Sequence, residues 1–287
     1  MNSITINAYA KINLFLEVCE KRPDSYHDID SIMHSVSLCD VVTISKNDCL
    51  ILSNSAGLHN DEKNIAYKAA KLFFEHTEIE NGAKIAITKN IPISAGLAGG
   101  STDAAAVLMG LNAIYDANLS IDILCELGSK LGADVPFCIR SGCYITKGIG
   151  DIFTPCAPLP ECFIVISKSG EGVSTPYAYN KIDLQRSESS YKINSSDKTI
   201  NALNSGDLSE IKKYIFNAFE SVVCPERPKV QEQKNILLKH NAVCAMMSGS
   251  GPSVFGIFDS KINAENALDE LKEYGANCHL CTPIYNK

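Results

Sequence analysis

No stretch of the 287-residue sequence approaches the roughly 18 consecutive apolar residues that cross a bilayer. The first residues, MNSITINAYAKINLFLEV, lack the basic start and small-residue cleavage site of a signal peptide. A cytoplasmic protein is therefore the expectation. A basic surplus is missing too: 26 Lys and Arg face 33 Asp and Glu, for a formal net charge of −7. General nucleic-acid or anionic-membrane binders need a basic face, so neither partner is expected, although a local basic pocket is compatible with this charge. Nothing in the sequence fixes an oligomeric state. Disulfide-scaffold spacing is also absent, because the twelve cysteines are scattered through a long chain, which favours reduced, mostly buried thiols. Only Cys278 and Cys281 form a CxxC, and without a second such pair no metal site is expected. That pair lies in ANCHLCTPI, which reads as a terminal strand.

What is present describes a folded chain, 45% hydrophobic and 21% charged, long enough for one large domain or two ordinary ones. Ile4, Ile6, Ala8, Ala10, Ile12, Leu14, Leu16 and Val18 share one parity, the period of a long strand with one buried face. Tyr9, Lys11, Asn13, Phe15 and Glu17 then occupy the other face. A turn at KRPDSYHD is followed by an apolar stretch and by DVVTISKN, a second strand. Helical spacing over Glu62 to His76 precedes a strand at KIAITKN. Ser101 or Thr102 can cap a helix through Tyr115, and Ser120 another to about Leu131; GADVPFCIRSG then breaks the pattern. CYITKG and GDIFTP read as a hairpin. The proline-bearing TPCAPLPE, Pro155 to Pro160, marks a domain boundary, giving domains 1–157 and 158–287. Beyond it come a strand at CFIVISK, a serine-rich loop at QRSESSYKINSSDK, and helices near Leu208 to Ser221 and Lys229 to His240. Strand, glycine loop and strand follow in AVCAMMSGSGPSVFGIFD, then a helix from Asn263 to Tyr274 and a closing strand. This mixed order favours α+β over a doubly wound sheet.

The stretch IPISAGLAGGSTDAAAVLMG, from Ile91, concentrates glycine at Gly96, Gly99 and Gly100 immediately before a helix start. Glycine there admits backbone angles closed to other residues and lets a ligand reach the main chain. The helix start adds free N–H groups and the positive end of the dipole, a combination suited to phosphate. Tight packing alone would also use glycine, but a second glycine loop, Ser248 to Ser253, weighs against that reading. The common phosphate loops do not fit. G-L-A-G-G misses the dinucleotide fingerprint, no lysine precedes Ser101 as a Walker loop requires, and the kinase triplets H-R-D and D-F-G are absent. A cation must come from elsewhere.

Lys11, between Ala10 and Ile12 in a long apolar strand, is not at a free edge, so its charge is expected to meet an anion or carboxylate. Asp134, in LGADVPF, sits among apolar neighbours where a carboxylate is costly without a cation or donor; capping the next turn is the plainer reading. Asp103 competes with it, but a place in the first helical turn already accounts for that residue by dipole compensation. Tyr26 and His27 adjoin in a turn where local structure buries neither completely. In EGVSTPYAYNK, Thr175 can cap a helix with Pro176 at its first position.

PISAGLAGGSTDAA resembles motif two of the GHMP kinases, the small-molecule kinases named for galactose, homoserine, mevalonate and phosphomevalonate. AKINLFLEV and MMSGSGPSVFGIF resemble motifs one and three, in the expected order, and the match extends over essentially the whole chain. With RPDSYHDIDSIM and LGADVPF, the set is similar to family members acting on a cytidine diphosphate derivative of methylerythritol. The resemblance implies a two-domain fold: a ribosomal protein S5 domain 2-like N-terminal domain and a ferredoxin-like C-terminal domain. It implies ATP as phosphate donor, held by main chain of Pro92, Ile93, Ser94, Ala95, Gly96, Leu97, Ala98, Gly99, Gly100, Ser101 and Thr102. Magnesium would be carried on the nucleotide and touched by Ser101. Lys11 becomes the catalytic lysine and Asp134 the general base toward the substrate 2-hydroxyl. Asn13 becomes a substrate contact, Tyr26 a stacking partner and His27 a hydrogen-bonding partner of cytosine. Thr175 falls at the same site, with Tyr179, or its neighbour Tyr177, on the other face of the base. The loop at Ser248 to Ser253 would close against substrate and phosphate loop. Two alternatives stay open: another GHMP kinase of homoserine or mevalonate type, and a nucleotide-binding sensor without the chemistry.

Overall fold

The computed structural model describes residues 2–80, 82–187 and 192–285. In chain order the elements are β1 (Ser3–Lys21), β2 (His27–Asn47), β3 (Ile51–Asn54), α1 (Ile65–Thr77), β4 (Gly82–Thr88), α2 (Gly99–Ile114), α3 (Ile121–Ser129), α4 (Val135–Arg140), β5 (Cys143–Lys147), β6 (Ile152–Pro155) and β7 (Phe163–Lys168). Then come α5 (Thr175–Ser187), α6 (Asp197–Ser205), α7 (Leu208–Ile211), β8 (Phe216–Asn217), α8 (Glu220–Val223), α9 (Pro228–Lys239), β9 (Cys244–Met247), β10 (Val254–Phe258), α10 (Lys261–Glu273) and β11 (Asn277–Cys281). The chain forms two compact units, one from Met1–Ala10, Cys39–Ile91 and Ala98–Ser141, the other from Lys11–Leu38, Pro92–Leu97 and Gly142–Lys287.

In the first unit β4 pairs antiparallel with the second half of β2, Val41 opposite Thr88 through Asn47 opposite Gly82, and β3 runs parallel along β4. Asn64 begins α1, its side chain accepting from Ala66 N. α2 is apolar nearly all round, and accordingly most of it is buried. It lies so close to the strands that a side chain on Gly110 would run into Ile44. Ile44, Ile85, Phe73, Leu108 and Leu111 fill this core. α3 begins as its spacing predicts, with Ser120 Oγ accepting from Ile123 N at 3.3 Å. The segment expected to be irregular after it is α4, a helix entered through Pro136 in its first turn.

The second unit holds a sheet of order β11-β7-β10-β9, antiparallel throughout, against which α9 and α10 pack. Strand β7, helix α9, hairpin β9–β10, helix α10 and strand β11 reproduce the ferredoxin-like arrangement that the resemblance implies. Phe255, Ile257, Phe258, Leu237 and Leu271 form its interior. In the same unit β5 and β6 form the expected hairpin, β5 pairs with Ser31–His34 of β2, and β8 lies parallel to β1 at Phe15 and Leu16.

Three further expectations are corrected. The first strand is not buried on one face only: from Ala10 to Val18 both faces are covered, with Lys11, Asn13 and Glu17 inside. Glu17 is tolerated there because Arg186 Nη2, Val18 N and both nitrogens of Asn194 bond its carboxylate at 2.7 to 3.0 Å. The helix expected near Leu208 to Ser221 is interrupted, since β8 leaves the helical path to pair with β1. Part of the serine-rich loop is helical, because α5 continues to Ser187; residues 188–191 lie outside those described.

His34 of β2 is buried completely. Its Nδ1 lies 2.8 Å from the Ser35 carbonyl, and its Nε2 accepts from Leu159 N at 3.1 Å, which ties the proline-bearing segment to the strand. These partners fix a neutral ring with the proton on Nδ1. Burial pushes its pKa down to about 4, against a smaller upward pull from the Ser35 carbonyl. The lowered pKa means that this stabilisation is complete above pH 6.5 and lost as pH falls toward 4. Urea unfolding at pH 7 and pH 5 is expected to show the unmodified chain losing about 2 kcal/mol more than His34→Gln over that interval. Parallel losses would contradict this assignment.

Candidate functional site

The glycine stretch between β4 and α2 is shaped by alternating backbone conformations. Ser94, Gly96 and Ala98 have φ of 52°, 73° and 59°. Alternation of this kind turns successive N–H groups toward one side, as in anion-binding nests. Positive φ is unfavourable for Ser94 and Ala98, a strain that clusters at functional sites. Neither Ser101 nor Thr102 caps α2, contrary to expectation. The helix starts earlier, at Gly99, with Ala98 at the cap position and no side-chain cap bond. Thr102 N is bonded to Ala98 O at 2.9 Å, so the preceding N–H groups of the first turn have no partner within the helix. The dipole of this 16-residue helix is therefore uncapped at its positive end.

Within the first unit the helix start is held from behind by charge. Lys89 Nζ bonds Asp40, Asp103 Oδ2 at 2.6 Å and the Gly99 carbonyl at 3.4 Å. Asp40 Oδ1 also accepts from Asn90 N and Ile91 N, at 2.6 and 2.8 Å, fixing the chain as it enters the loop. All three side chains are buried. Asp103 is therefore explained by Lys89, not by the helix dipole. Its pKa is pushed up to about 7, mainly by burial, with Lys89 opposing and Asp40 adding to the rise. Oδ1 of Asp103 is buried without a hydrogen-bond partner. One ammonium against two carboxylates leaves an excess charge that a proton on Asp103 removes.

In the second unit, residues 92–97 meet the other glycine loop. Ser248 Oγ donates to Gly96 O at 3.0 Å, and any side chain on Gly96 would overlap the Ser248 carbonyl. Gly249, at φ 56°, stands so close that an added Cβ would lie 3.0 Å from Gly96 O. Lys168 Nζ donates to Ile93 O at 2.8 Å. Lys11 N donates to Leu97 O at 3.2 Å. Lys11 Nζ and Gly249 N both donate to Asn13 Oδ1, at 2.7 and 3.1 Å, while Asn13 Nδ2 donates to Ser31 Oγ. Lys11, Asn13, the loop at Gly96 and the loop at Ser248 are thus brought together around main chain.

The expected cytosine-reading residues gather in the same unit. Tyr26 is 63% exposed. His27 is buried, contrary to expectation, because it opens β2 instead of lying in the turn. Its ring stacks on Tyr179 with centroids 4.9 Å apart and planes at 19°, and Phe219 meets Tyr179 edge-on. His27 Nε2 lies 2.7 Å from Asp183 Oδ1, and Lys21 Nζ donates to Asp183 Oδ2 at 2.7 Å. Burial pushes the Asp183 carboxyl up, but bonds from Lys21 and His27 outweigh that and hold it below the usual range. Tyr177 is exposed and its hydroxyl donates to Glu226. Thr175 is the first residue of α5, not its cap, and its hydroxyl pairs with Ser250 Oγ at 2.9 Å.

Asp134 belongs to the first unit and Lys11 to the second. Asp134 takes the N-cap position of α4 without a side-chain cap bond, so capping does not account for its carboxylate. Sequence reasoning missed Asp40, Lys89, Asp183 and Lys168. Only Lys89 carried a local signal, as the one cation immediately before the loop. Among the described residues no three His, Cys, Asp or Glu side chains cluster to hold a metal ion.

Two family descriptions match the chain: GHMP kinases N terminal domain over residues 64–142, and GHMP kinases C terminal over 199–277. The sequence is 44% identical to the 4-diphosphocytidyl-2-C-methyl-D-erythritol kinase of Caldicellulosiruptor saccharolyticus over 98% of this chain and 97% of that protein. It is 42% identical to the enzyme of the same name from Lachnoclostridium phytofermentans over 95% and 94% of the two chains. A crystal structure of 4-(cytidine 5'-diphospho)-2C-methyl-D-erythritol kinase superposes with a TM-score of 0.84 at 30% identity, covering 98% of this chain and 99% of that one. The L. major mevalonate kinase, crystallised with R-mevalonate, shares the fold at a TM-score of 0.79 and 17% identity, over 100% and 98% of the two chains.

Replacing Lys89 by Met leaves two buried carboxylates without their cation and is expected to cost about 3–5 kcal/mol in urea unfolding at pH 7. The deficit shrinks as pH falls, because protonation removes the stranded charge. A loss below about 1 kcal/mol would show that the pair contributes little.

Proposed function

The chain belongs to the GHMP kinases, and from that membership we propose that it transfers the γ-phosphoryl group of ATP to the 2-hydroxyl of 4-diphosphocytidyl-2-C-methyl-D-erythritol, a step toward isoprenoid precursors. The observation that carries this reading is the 44% identity, over nearly the full length of both chains, to a kinase named for that substrate. ATP use follows from the family.

Phosphoryl transfer depends mainly on positioning and electrostatics. In the proposed mechanism the main chain from Pro92 to Thr102 holds the triphosphate. The alternating backbone and the uncapped start of α2 support that role. Asp134 takes the proton from the 2-hydroxyl as its oxygen attacks the γ-phosphorus. The bond to the β-phosphate oxygen breaks, and ADP leaves. Lys11 steadies the developing negative charge, with its ammonium oriented by Asn13 Oδ1. Magnesium usually keeps several waters and binds through substrate phosphates. It would arrive on the nucleotide, with the Ser101 hydroxyl beside it.

For the base, Tyr26 offers an exposed ring and His27 a ring fixed by Asp183. With Nε2 committed to Asp183, Nδ1 is the atom proposed to accept from the cytosine amino group. Tyr179 is preferred to Tyr177 as the second stacking partner, because it already lies against His27 whereas Tyr177 is held toward Glu226. Thr175, beside Ser250, completes the proposed set. A boundary after residue 157 belongs to the same proposal, as does a cytoplasmic location. Among the described residues no helix is long and apolar enough to cross a membrane.

The test is ADP release by the purified protein with ATP and each of three acceptors: the cytidyl substrate, homoserine and mevalonate. Release is expected with the first alone, and Asp134→Asn is expected to fold normally while losing at least about 100-fold in kcat. Release with another acceptor, or with none, would overturn the substrate assignment; near-normal turnover of the variant would overturn the assignment of the base.

A further inference from the structure

Asn217 plays no part in the mechanism above, yet it is 3% exposed and contacts the second glycine loop from both sides of Ser248. Its backbone is fixed by the parallel pairing of β8 with β1, and Ala218 N donates to Leu16 O at 2.8 Å. Nδ2 donates to Met247 O at 2.7 Å and to Gly249 O at 2.9 Å, so each amide hydrogen has its own carbonyl. Oδ1 accepts from Phe219 N at 3.0 Å, which fixes the orientation of the amide. The residue held between those carbonyls, Ser248, supplies the hydroxyl on Gly96 O, and Gly249 supplies the N–H on Asn13 Oδ1.

We propose that Asn217 is a positioning residue for nucleotide binding: its two-pronged grip sets the distance of the Ser248–Gly249 main chain from Gly96, and so the shape of the first glycine loop. The inference rests on reading that loop as the nucleotide grip. A side chain on Gly96 has no room against Ser248 O, so a displacement of the second loop transmits directly to the first. A carboxylate in place of the amide keeps the acceptor for Phe219 N but sets oxygen against the carbonyls of Met247 and Gly249, with no hydrogen to offer either.

The decisive comparison is Asn217→Asp against the unmodified chain by calorimetric titration with a non-hydrolysable ATP analogue. Ile257→Val serves as a control that loosens the β10 core without touching the loop. A purely structural role lowers the binding-competent fraction, and with it the stoichiometry, while leaving Kd unchanged. A positioning role weakens Kd itself, by about tenfold or more in Asn217→Asp, with Ile257→Val within about twofold of the unmodified chain. Equal Kd for Asn217→Asp and the unmodified chain, or an equal weakening in Ile257→Val, would overturn the inference alone. If Asn217→Asp does not fold, Asn217→Ser, which retains one donor, is expected to show a Kd weaker than that of the unmodified chain, and an unchanged one overturns the inference. Failure of the unmodified chain to bind the analogue would overturn the functional reading and the inference with it.

Discussion

Two stretches of main chain pass each other at Gly96 and Ser248–Gly249 so closely that Gly96 has no room for a side chain. The organisation of the second unit follows from keeping that approach. Gly96 has to be glycine for want of space and because of its positive φ. Ser248 bonds across the gap, Asn13 collects Gly249 N together with the Lys11 ammonium, and Lys168 secures the chain at Ile93. Side chains enter this arrangement as supports for the main chain.

Burying ions around such a surface is costly, and each unit meets the cost with partners close at hand. Glu17 is surrounded by a guanidinium, a carboxamide and two main-chain N–H groups. Lys89 lies between Asp40 and Asp103 behind the start of α2. Buried pairs of this kind seldom add much to stability over apolar packing, but they fix geometry because breaking them is expensive. At Asn90 and Ile91 that geometry is the entry into the glycine loop.

Much of this could be read from the sequence where the signal is local. The parity of apolar residues over β1, the cap at Ser120 and both glycine loops were legible because neighbouring residues carry them. What escaped depends on distant chain. Lys11, Asn13 and Glu17 sit on the polar parity of β1, and their burial comes from elements far along the sequence, among them β8 and Arg186 of α5. Leu208, Ile211, Ile215 and Phe219 have helical spacing, but pairing of Phe216 with Phe15 overrides it. The hydroxyls of Ser101 and Thr102 mimic a cap, whereas the small residues before them let α2 begin at Gly99. Asp40 and Lys89 lie 49 positions apart, so neither announces the other.

The central claim, that backbone grips the triphosphate, is tested most directly by a crystal structure with a non-hydrolysable ATP analogue. Phosphate oxygens within hydrogen-bonding distance of main-chain N–H groups between Ser94 and Thr102, with the Gly96–Ser248 contact retained, are the result the account predicts. A triphosphate held by side chains elsewhere, with those N–H groups facing solvent, would contradict it.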